Sequence, residues 1–307
     1  MENFSVTILG SSSASPTSRR NTSSQLVNFY QRYYLVDCGE GTQIQLRRNR
    51  LKMSKINHIF ISHLHGDHFF GLVGLISSLN LFGRTKELHI YSDLRIKEII
   101  DIQLEISETA LQFEIIYHPI NLKEKELIFE DKKLEIYSFP LEHRVPTCGF
   151  LFQEKKSFPN IKKTIIKKYK PSIDEINKIR SGEDYILDDG TVLPNDEITN
   201  EAPAPRSYAY CSDTKYFENL HHYFKGVELL YAECTFMKDL QEVATNKFHM
   251  TTEDSSKLAK ESDAQKLMVG HFSARYRDLT EFKDEMETLH PGTILVNDND
   301  TINIRED

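Results

Sequence analysis

The stretch HLHGDH, residues 63–68, constrains this chain more than any other. Three histidines and an aspartate fall within six residues, and their spacing is not that of a helix face, where neighbours lie three or four residues apart. The apolar run INHIFIS precedes the motif and FFGLVGLISSLNL follows it, which predicts an irregular loop between a buried strand and a helix. Imidazole and carboxylate are ligands that zinc takes in open catalytic sites. The alternative, a solvated loop that happens to be rich in histidine, is disfavoured by this density.

Three further candidate ligands follow strand-like runs elsewhere in the chain. His143 follows KLEIYSFP, Asp213 follows SYAYCS and His271 follows KLMVG. Because each ends an apolar run, the three are predicted to project from the same edge of a sheet. Each residue taken alone also fits a structural or surface role, such as Asp213 capping a turn.

The spacing within HLHGDH favours two metal ions over one. His63 and His65 can bind one ion while Asp67 and His68 reach a second, and Asp213 is the natural carboxylate to bridge them. The hypothesis is therefore a two-metal centre with these ligands: His63, His65, Asp67, His68, His143, Asp213 and His271.

The remaining sequence has the pattern of one α/β domain. Strand-like and helix-like stretches alternate in two series, before and after a segment of different character. That segment, residues 154–206, begins with lysines, continues with acidic and turn-rich sequence, and has few large apolar residues. With 307 residues and 39% hydrophobic content the chain can bury a substantial core. We predict a single catalytic domain, 1–307, with an insertion at 154–206.

The insertion concentrates positive charge in an acidic protein. Residues 155–170 hold seven lysines and no acid, whereas the whole chain has a formal net charge of -8. This net charge argues against indiscriminate coating of nucleic acid. Screening confines each charge to about 8–10 Å, however, so one local patch can still bind RNA. A solvated helix face is the alternative role for such a run.

Other features bear on where the protein acts. The longest apolar runs are shorter than the roughly 20 residues needed to cross a bilayer, and the N-terminus lacks the pattern of a secretory signal. Four cysteines without a CxxC pair do not suggest a disulfide scaffold. The expectation is a reduced, cytoplasmic protein without a membrane partner.

HxHxDH with its downstream partners resembles the metallo-β-lactamase superfamily. The resemblance implies a four-layer αβ/βα sandwich with a two-metal site on one edge. The superfamily includes lactamases, thioesterases, lactonases, oxidoreductases and nucleases, so the motif predicts the fold and the metal but not the substrate.

Four further motifs resemble ribonuclease Z of the short form, the endonuclease that matures the 3′ end of tRNA. LVDCGEGTQIQL is similar to an early motif of that family and places Asp37 where the family has an aspartate that helps orient the metal loop. AECTF matches at Glu233, with Ala232 where the family usually has histidine. FHMTTED provides His249, and GHFSARY provides Arg275, which is expected to face the RNA backbone.

The resemblance implies an activity and its parts. It predicts a homodimer that cuts precursor tRNA after the discriminator base, using two Zn²⁺ per subunit, with Mn²⁺ as an alternative ion, and acting on no DNA. Asp67 would orient the attacking water and accept its proton, and His249, held by Glu233, would protonate the leaving oxygen. Without the resemblance, Glu233 could be an ordinary strand-end acid and His249 a helix-start histidine.

The insertion lies where that family carries its flexible arm, between His143 and Asp213. The arm grips the tRNA elbow, and a basic arm suits this because phosphate neutralisation gives sequence-independent affinity. The predicted RNA contacts in the arm are Lys162, Lys163, Lys167 and Lys168. The sequence pattern leaves open a hairpin, a helical tip and a disordered loop that folds on RNA.

One motif departs from the family. Short-form enzymes often carry a Pro-x-Lys-x-Arg-Asn loop that helps them reject tRNA already bearing CCA, whereas this chain has PTSRRN, with Ser18 in place of lysine. Arg20 matches the family arginine and is a predicted RNA contact, and Arg19 is a candidate substitute for the lysine. The departure puts CCA discrimination in question, but not cleavage.

Three alternatives remain at this point. Another phosphodiesterase of the same fold, acting on small or cyclic phosphodiesters, would need no arm. A non-catalytic RNA-binding protein with a degenerate metal site fits poorly, because every expected ligand is present. A di-iron oxidoreductase would carry an acidic residue where His65 stands.

Overall fold

The structure, a computed structural model, describes residues 4–305 of the chain. These residues fall into two units. The larger unit comprises the chain up to Phe129, Ile136–Phe152 and the chain from Arg206 onward, and the smaller comprises Glu130–Glu135 and Gln153–Pro205.

The strands and helices are numbered in chain order. The strands are β1 (Phe4–Gly10), β2 (Ser24–Phe29), β3 (Arg32–Val36), β4 (Ile56–Phe60), β5 (Leu88–Ser92), β6 (Ile115–Pro119), β7 (Glu126–Glu130), β8 (Leu134–Leu141), β9 (Thr147–Glu154), β10 (Asn160–Ile161), β11 (Tyr185–Ile186), β12 (Val192–Leu193), β13 (Thr199–Asn200), β14 (Ser207–Cys211), β15 (Leu229–Glu233), β16 (Lys266–Gly270), β17 (Ile294–Leu295) and β18 (Thr301–Asn303). The helices are α1 (Thr42–Arg48), α2 (Gly66–Phe69), α3 (Leu72–Leu81), α4 (Arg95–Ile106), α5 (Lys163–Tyr169), α6 (Ile173–Arg180), α7 (Asn195–Ile198), α8 (Gln241–Lys247), α9 (Thr252–Glu261) and α10 (Thr280–Leu289).

Two seven-stranded sheets form the larger unit. The first has the order β18-β1-β2-β3-β4-β5-β6, and the second has the order β17-β16-β15-β14-β9-β8-β7. In the first sheet β3 to β6 run parallel while β18, β1 and β2 are antiparallel. In the second sheet β14 to β17 run parallel. The last strand, β18, returns to pair with β1, so both ends of the described chain lie in one sheet.

Side-chain alternation along the strands separates two helix-facing cores. On the first sheet, Ile59 and Ile90 pack with Leu75 of α3 and Ile100 of α4. The second core combines these side chains of β15, β16, α9 and α10: Leu230, Leu267, Leu258 and Phe282. Each sheet is thus covered on one face by helices, as the period-two pattern of its strands requires.

Aromatic rings fill the space between the two sheets. The ring of Phe60 on β4 lies 5.5 Å from that of Phe150 and 5.8 Å from that of Phe152 on β9, and Tyr34 on β3 also contacts Phe152. Helix, sheet, sheet and helix therefore form four layers, and the predicted αβ/βα sandwich is confirmed.

The strand ends place the candidate ligands. As predicted, His143, Asp213 and His271 follow strands of one sheet, namely β8, β14 and β16 of the second sheet. HLHGDH, in contrast, follows β4 of the first sheet. Sequence patterns do not specify which sheet a strand joins, so the meeting of the two sheets at these residues was not predicted.

The smaller unit has its own core. Ile161, Ile179, Tyr185 and Ile198 are buried together, although their segment shows only a weak apolar pattern in the sequence. Two short strand pairs, β10 with β13 and β11 with β12, accompany three helices. The lysine-rich run forms helix α5, which is the helical alternative among those that the sequence left open.

Within residues 4–305, no helix combines the length and the apolar character that crossing a membrane requires.

The packing between the sheets can be tested with Phe60→Ala. Removing a fully buried ring between the layers should lower the free energy of unfolding by about 3–5 kcal/mol. Ile102→Ala on α4, where the side chain is 53% exposed, should change it by less than about 1 kcal/mol. Urea unfolding followed by circular dichroism measures both, and similar effects for the two variants would contradict the described layering.

Candidate metal centre and active site

The HLHGDH motif spans a strand end and a short helix. His63 and His65 lie in the connection after β4, and Asp67 and His68 lie in α2, which begins at Gly66. The turn from extended chain into this helix lets histidines two residues apart face the same point. The predicted irregular loop is thus a brief extended stretch followed by one helical turn.

A first group of donors consists of His63, His65, His143 and Asp213. Their ligand atoms all lie within 4.8 Å of one another. Nδ1 of His65 lies 3.1 Å from Nε2 of His63 and 3.1 Å from Nε2 of His143. Oδ2 of Asp213 lies 3.9 Å from each of those two Nε2 atoms.

A second group consists of Asp67, His68, Asp213 and His271. Oδ1 of Asp213 lies 3.3 Å from Nε2 of His68 and 3.2 Å from Nε2 of His271. Oδ2 of Asp67 lies 3.5 Å from each of the same two nitrogens. Asp213 therefore presents one carboxylate oxygen to each group, the arrangement of a bridging ligand.

Both groups fit metal ions. Around a tetrahedral zinc ion with bonds near 2.1 Å, neighbouring ligand atoms are roughly 3.4 Å apart, and the distances above scatter about that value. Nε2 of His68, Oδ1 of Asp213 and Nε2 of His271 are also buried without a hydrogen-bond partner. Buried polar atoms are rarely left unpaired, and a cation at this position would satisfy all three.

Asp37, which the resemblance implied would help orient the HLHGDH loop, is hydrogen-bonded to it. Its Oδ2 accepts a hydrogen bond from Nδ1 of His68 at 2.7 Å, which leaves Nε2 of that ring for the metal side. The same carboxylate accepts hydrogen bonds from the backbone N–H and the hydroxyl of Ser62. It also accepts one from the hydroxyl of Tyr210 at 2.7 Å. Asp37 is fully buried and adopts a positive φ of 55°, a conformation that this network stabilises.

Two other histidines of these donor groups are oriented in the same way. Nδ1 of His143 donates to the carbonyl oxygen of Phe248 at 3.0 Å, so Nε2 points toward Asp213. Nδ1 of His271 lies 3.0 Å from the hydroxyl of Thr235. Partners of this kind fix the tautomer and the orientation of metal-binding histidines. Thr235 and Tyr210 carried no signal in the sequence.

Burial keeps three imidazoles of the first group neutral. It lowers the pKa of His63, His65 and His143 below the ordinary value, and neighbouring imidazoles lower that of His63 further. A neutral imidazole has a free lone pair, which metal binding requires.

The second group is dominated by negative charge. Burial opposes charge on His68, but the carboxylates of Asp213, Asp67 and Asp37 raise the pKa of its imidazole well above the ordinary value. Burial also opposes ionisation of Asp213, and the adjacent imidazoles of His271 and His68 instead hold its pKa well below the usual range. A field that favours a protonated imidazole also favours a bound cation.

His249 and Glu233 form a hydrogen-bonded pair beside the two groups. Nδ1 of His249 lies 2.8 Å from Oε1 of Glu233 and 4.0 Å from Oδ2 of Asp213. Glu233, fully buried at the end of β15, also accepts the backbone N–H groups of Thr214 and Thr235. Burial would lower the pKa of His249, but the Glu233 carboxylate raises it to about 9. The pair that the resemblance implied is therefore in contact.

The groups open into a cleft of about 410 Å³. His65, Asp67, His143, Asp213, His249 and His271 line it, together with Ser13–Pro16 of the loop between β1 and β2. The backbone N–H of Ala14 in that loop donates to Oδ2 of Asp67 at 2.8 Å, so the loop forms one wall of the site.

A carboxylate that the sequence did not single out holds this loop. Asp298 accepts the backbone N–H and the hydroxyl of Ser11 at one end of the loop. It also accepts the backbone N–H and the side-chain amide of Asn21 at the other end, and the amide of Gln45. Its distance along the chain from the loop explains why no local pattern indicated it.

The predicted RNA contacts have different surroundings. Arg275 is exposed, with its guanidinium 5.0 Å from the centre of the Phe236 ring, which in turn lies 6.1 Å from the ring of His249. Arg20 is only 7% exposed and donates to the carbonyl oxygen of Tyr276 at 3.2 Å. In α5, Lys163, Lys167 and Lys168 are exposed. Lys162 precedes that helix, and its Nζ lies 2.6 Å from the carbonyl oxygen of Glu197.

Comparisons with known proteins identify the family. Residues 4–189 match the family model described as anti-Pycsar protein Apyc1, which places the chain in that model's family. Relatives named ribonuclease Z extend over the whole chain. The protein from Bacteroides thetaiotaomicron is 42% identical over 99% of this chain and 96% of its own, and that from Porphyromonas gingivalis is 39% identical over 97% and 98%. The chain belongs to the ribonuclease Z family.

Solved structures agree with this assignment. Human tRNase Z, short form, matches with a TM-score of 0.72 and 25% identity, covering 98% of this chain and 100% of its own. The metallo-β-lactamase fold protein YhfI from Bacillus subtilis matches with a TM-score of 0.68 at 18% identity over 99% of this chain and 100% of its own, which supports the fold alone. This ribonuclease Z family member is therefore a hydrolase of the nuclease class with a metal cofactor, as the sequence motifs predicted.

The pairing of His249 with Glu233 can be tested with Glu233→Gln. The raised pKa keeps the His249 ring protonated through neutral pH, until the pH rises through about 9. Without the carboxylate charge, the pKa should fall toward the ordinary histidine value of about 6.5, so the ring loses its proton at lower pH. Histidine ring resonances followed by NMR in the metal-free protein measure the shift.

The matched control for this measurement is Glu242→Gln. Glu242 is an exposed carboxylate on α8, and its removal changes the net charge equally. The control should leave the pKa of His249 near that of the unchanged protein. An unaltered pKa in Glu233→Gln would contradict the pairing.

Proposed function

We propose that this ribonuclease Z family member is a two-zinc endoribonuclease that removes the 3′ trailer from precursor tRNA. It would cut after the discriminator base and leave a 3′-hydroxyl, with Mn²⁺ as an alternative ion. One observation carries the proposal: members of the two donor groups that share Asp213 line the same cleft as His249, the partner of Glu233. The relatives named ribonuclease Z and the human tRNase Z structure support the choice of substrate.

The metal ligands are proposed to be the two groups described above. His63, His65 and His143 would hold one ion, Asp67, His68 and His271 the other, and Asp213 both. When bound, two such ions supply a nucleophile at neutral pH and stabilise the charge that develops on the attacking and leaving oxygens.

Asp67 is proposed to orient the attacking water. Burial would raise its pKa, but His68 and His271 lower it, so Asp67 is an ionised carboxylate at neutral pH. A carboxylate held in this way is a weak base. Water orientation is therefore the better supported of the two roles expected of Asp67, because this carboxylate accepts a proton less readily.

His249 is proposed to be the general acid. The leaving group is the 3′ oxygen of the tRNA body, which departs readily only when it receives a proton. With Nδ1 bound to Glu233, the other nitrogen of the ring, Nε2, remains for the substrate. The raised pKa of His249 keeps that proton in place at neutral pH.

The segment 154–206 is proposed to bind the tRNA elbow as an arm. It contains ten basic and ten acidic residues, so its positive charge is local. The basic surface is α5, where Ile165 and Tyr169 pack on the arm's core and leave Lys163, Lys167 and Lys168 exposed. Three exposed lysines on one helix can neutralise neighbouring phosphates without sequence specificity.

A homodimer is proposed from an apolar surface on α1 and α3. Ile44, Phe70, Leu81 and Phe82 are 52%, 63%, 84% and 63% exposed. The two helices adjoin, since the hydroxyl of Ser78 on α3 donates to the side chain of Gln43 on α1. Phe70 also lines the catalytic cleft, so a second copy on this surface would lie beside the substrate.

Cleavage of a precursor tRNA with a 3′ trailer tests the function. The purified protein with Zn²⁺ or Mn²⁺ should cut after the discriminator base, and a chelator should abolish the cut. Asp67→Ala should reduce kcat by at least about a thousandfold with the fold retained. Product mapping by gel and mass spectrometry decides the result. Intact precursor under both metals would refute the proposal.

Substitutions in the proposed arm should distinguish cleavage of tRNA from hydrolysis of small phosphodiesters. Changing Lys163, Lys167 and Lys168 to alanine should raise KM for precursor tRNA by about tenfold or more while leaving hydrolysis of bis(p-nitrophenyl) phosphate unchanged. Asp188→Asn with Asp189→Asn, on the acidic part of the arm, serves as the control. Equal loss on both substrates would refute the role of the arm in tRNA binding, whereas no loss on either substrate would favour a small-phosphodiester enzyme.

The dimer can be tested with Leu81→Asp. A charge within this apolar surface should convert a dimer into a monomer, as measured by light scattering after size exclusion. Ile102→Asp, on an exposed position of α4, should leave the mass unchanged. A monomeric unaltered protein at micromolar concentration would contradict the proposal.

A further inference from the structure

Three histidines outside the donor groups lie side by side on the first sheet. His58, His89 and His118 belong to β4, β5 and β6, and the register of these parallel strands places His58 opposite His89 and Tyr91 opposite His118. Because side chains two residues apart on a strand, and paired residues of neighbouring strands, point to the same face of a sheet, the three imidazoles share one face. That face also carries Phe60, whose ring lies between the two sheets.

Two of these imidazoles bring nitrogen atoms together. Nδ1 of His89 lies 3.0 Å from Nε2 of His118, and the ring centres are 5.2 Å apart. The first donor group of the catalytic cleft has a similar spacing: Nε2 of His63 and Nδ1 of His65 are 3.1 Å apart, and their ring centres are separated by 4.8 Å. His89 and His118, which we refer to as the histidine pair, therefore have the donor spacing of a metal site.

The rings of the histidine pair are held by stacking. His89 stacks on His58 with the ring centres 4.9 Å apart, and His118 stacks on Tyr91 at 4.3 Å. Tyr91 in turn stacks on the fully buried ring of Phe60 at 4.5 Å. Rings packed in this way keep their orientation without an ion, which lowers the entropy cost of binding one.

A carboxylate influences which nitrogen of His89 is available. Oε2 of Glu87 lies 3.7 Å from Nε2 of His89, and its negative charge favours a proton on that nitrogen. The lone pair then resides on Nδ1, the atom nearest to His118. Burial, together with the neighbouring His89 ring, lowers the pKa of His118, so this imidazole is neutral at neutral pH. Metal binding requires neutral imidazoles with a free lone pair.

The histidine pair is separate from the catalytic cleft and accessible to solvent. Neither residue lines that cleft, and the side chain of His89 is 25% exposed. Within residues 4–305, the groups of three or more adjacent metal-binding side chains all contain Asp213. An ion at the histidine pair would therefore have two protein ligands and water in its other positions, and it would exchange with the solvent.

We propose that His89 and His118 bind a divalent transition-metal ion, apart from the donor groups of the catalytic cleft. With bonds of about 2.0–2.1 Å, neighbouring donors are roughly 2.9 Å apart in square-planar and roughly 3.4 Å apart in tetrahedral coordination. The separation of 3.0 Å falls within this range. The inference does not rest on the proposed function, because it uses no residue of the catalytic cleft.

Cu²⁺ is the ion expected to bind most tightly. Imidazole suits Zn²⁺, Cu²⁺ and Ni²⁺, and a site with two protein ligands imposes little geometric selection among them. The intrinsic order of affinity then decides, and in that order Cu²⁺ exceeds both Ni²⁺ and Zn²⁺.

Titration of the zinc-loaded protein with Cu²⁺ tests the proposal. Metal analysis should find one equivalent of copper in excess of any zinc displaced, with the electron paramagnetic resonance signature of nitrogen ligands. His118→Phe keeps a ring on Tyr91 but removes both nitrogens, and His89→Gln removes the other imidazole. Each variant should bind this equivalent at least roughly tenfold more weakly, with an unchanged circular dichroism spectrum.

The control variant is His222→Gln, which removes an exposed imidazole from the helical turn Leu220–Phe224. It should bind copper as the unaltered protein does. The distance within the histidine pair also fits a single N–H···N hydrogen bond. If that bond is its whole role, either the unaltered protein binds no excess copper or the pair variants bind as much as it does. Each of these results overturns the proposal, and so does an equal loss in His222→Gln.

Discussion

One buried carboxylate, Asp37, connects most of the features described above. It lies at the end of β3 in the first sheet, accepts a hydrogen bond from His68 in the metal loop, and accepts another from Tyr210 on β14 in the second sheet. A carboxylate enclosed by protein is stable only when its oxygens are hydrogen-bonded. The position of the metal loop and the distance between the sheets are therefore set by the same group.

The catalytic cleft and the loop that forms one of its walls carry opposite charge. In the cleft, Asp67 and Asp213 create a negative field at the point where the ligand groups meet, which suits cations. On the loop that forms one wall of the cleft, Arg19 and Arg20 carry positive charge and line a separate cleft. Asp298 accepts hydrogen bonds from both ends of that loop and so fixes the position of the loop beside the cleft.

Much of the fold was predictable because its signals are local. The strands before and the helix after HLHGDH follow from apolar periodicity, and the candidate ligand residues follow from their chemistry and spacing. The core of the smaller unit was not predictable from the sequence. Its residues Ile161 and Ile198 are separated by weakly patterned sequence and meet through the pairing of β10 with β13. The contacts of Thr235, Tyr210 and Asp298 join distant segments, and their residue types are too common to signal a role.

The sequence by itself determined which residues can bind metal, their order along the chain, and a concentration of lysines at 155–170. The tertiary structure alone decided that HLHGDH comes from one sheet and His143, Asp213 and His271 from the other. It also decided that Asp213 faces both donor groups. The physical reason is that spacing along a chain fixes neighbours within a strand or helix, whereas packing of two sheets fixes which strand ends meet.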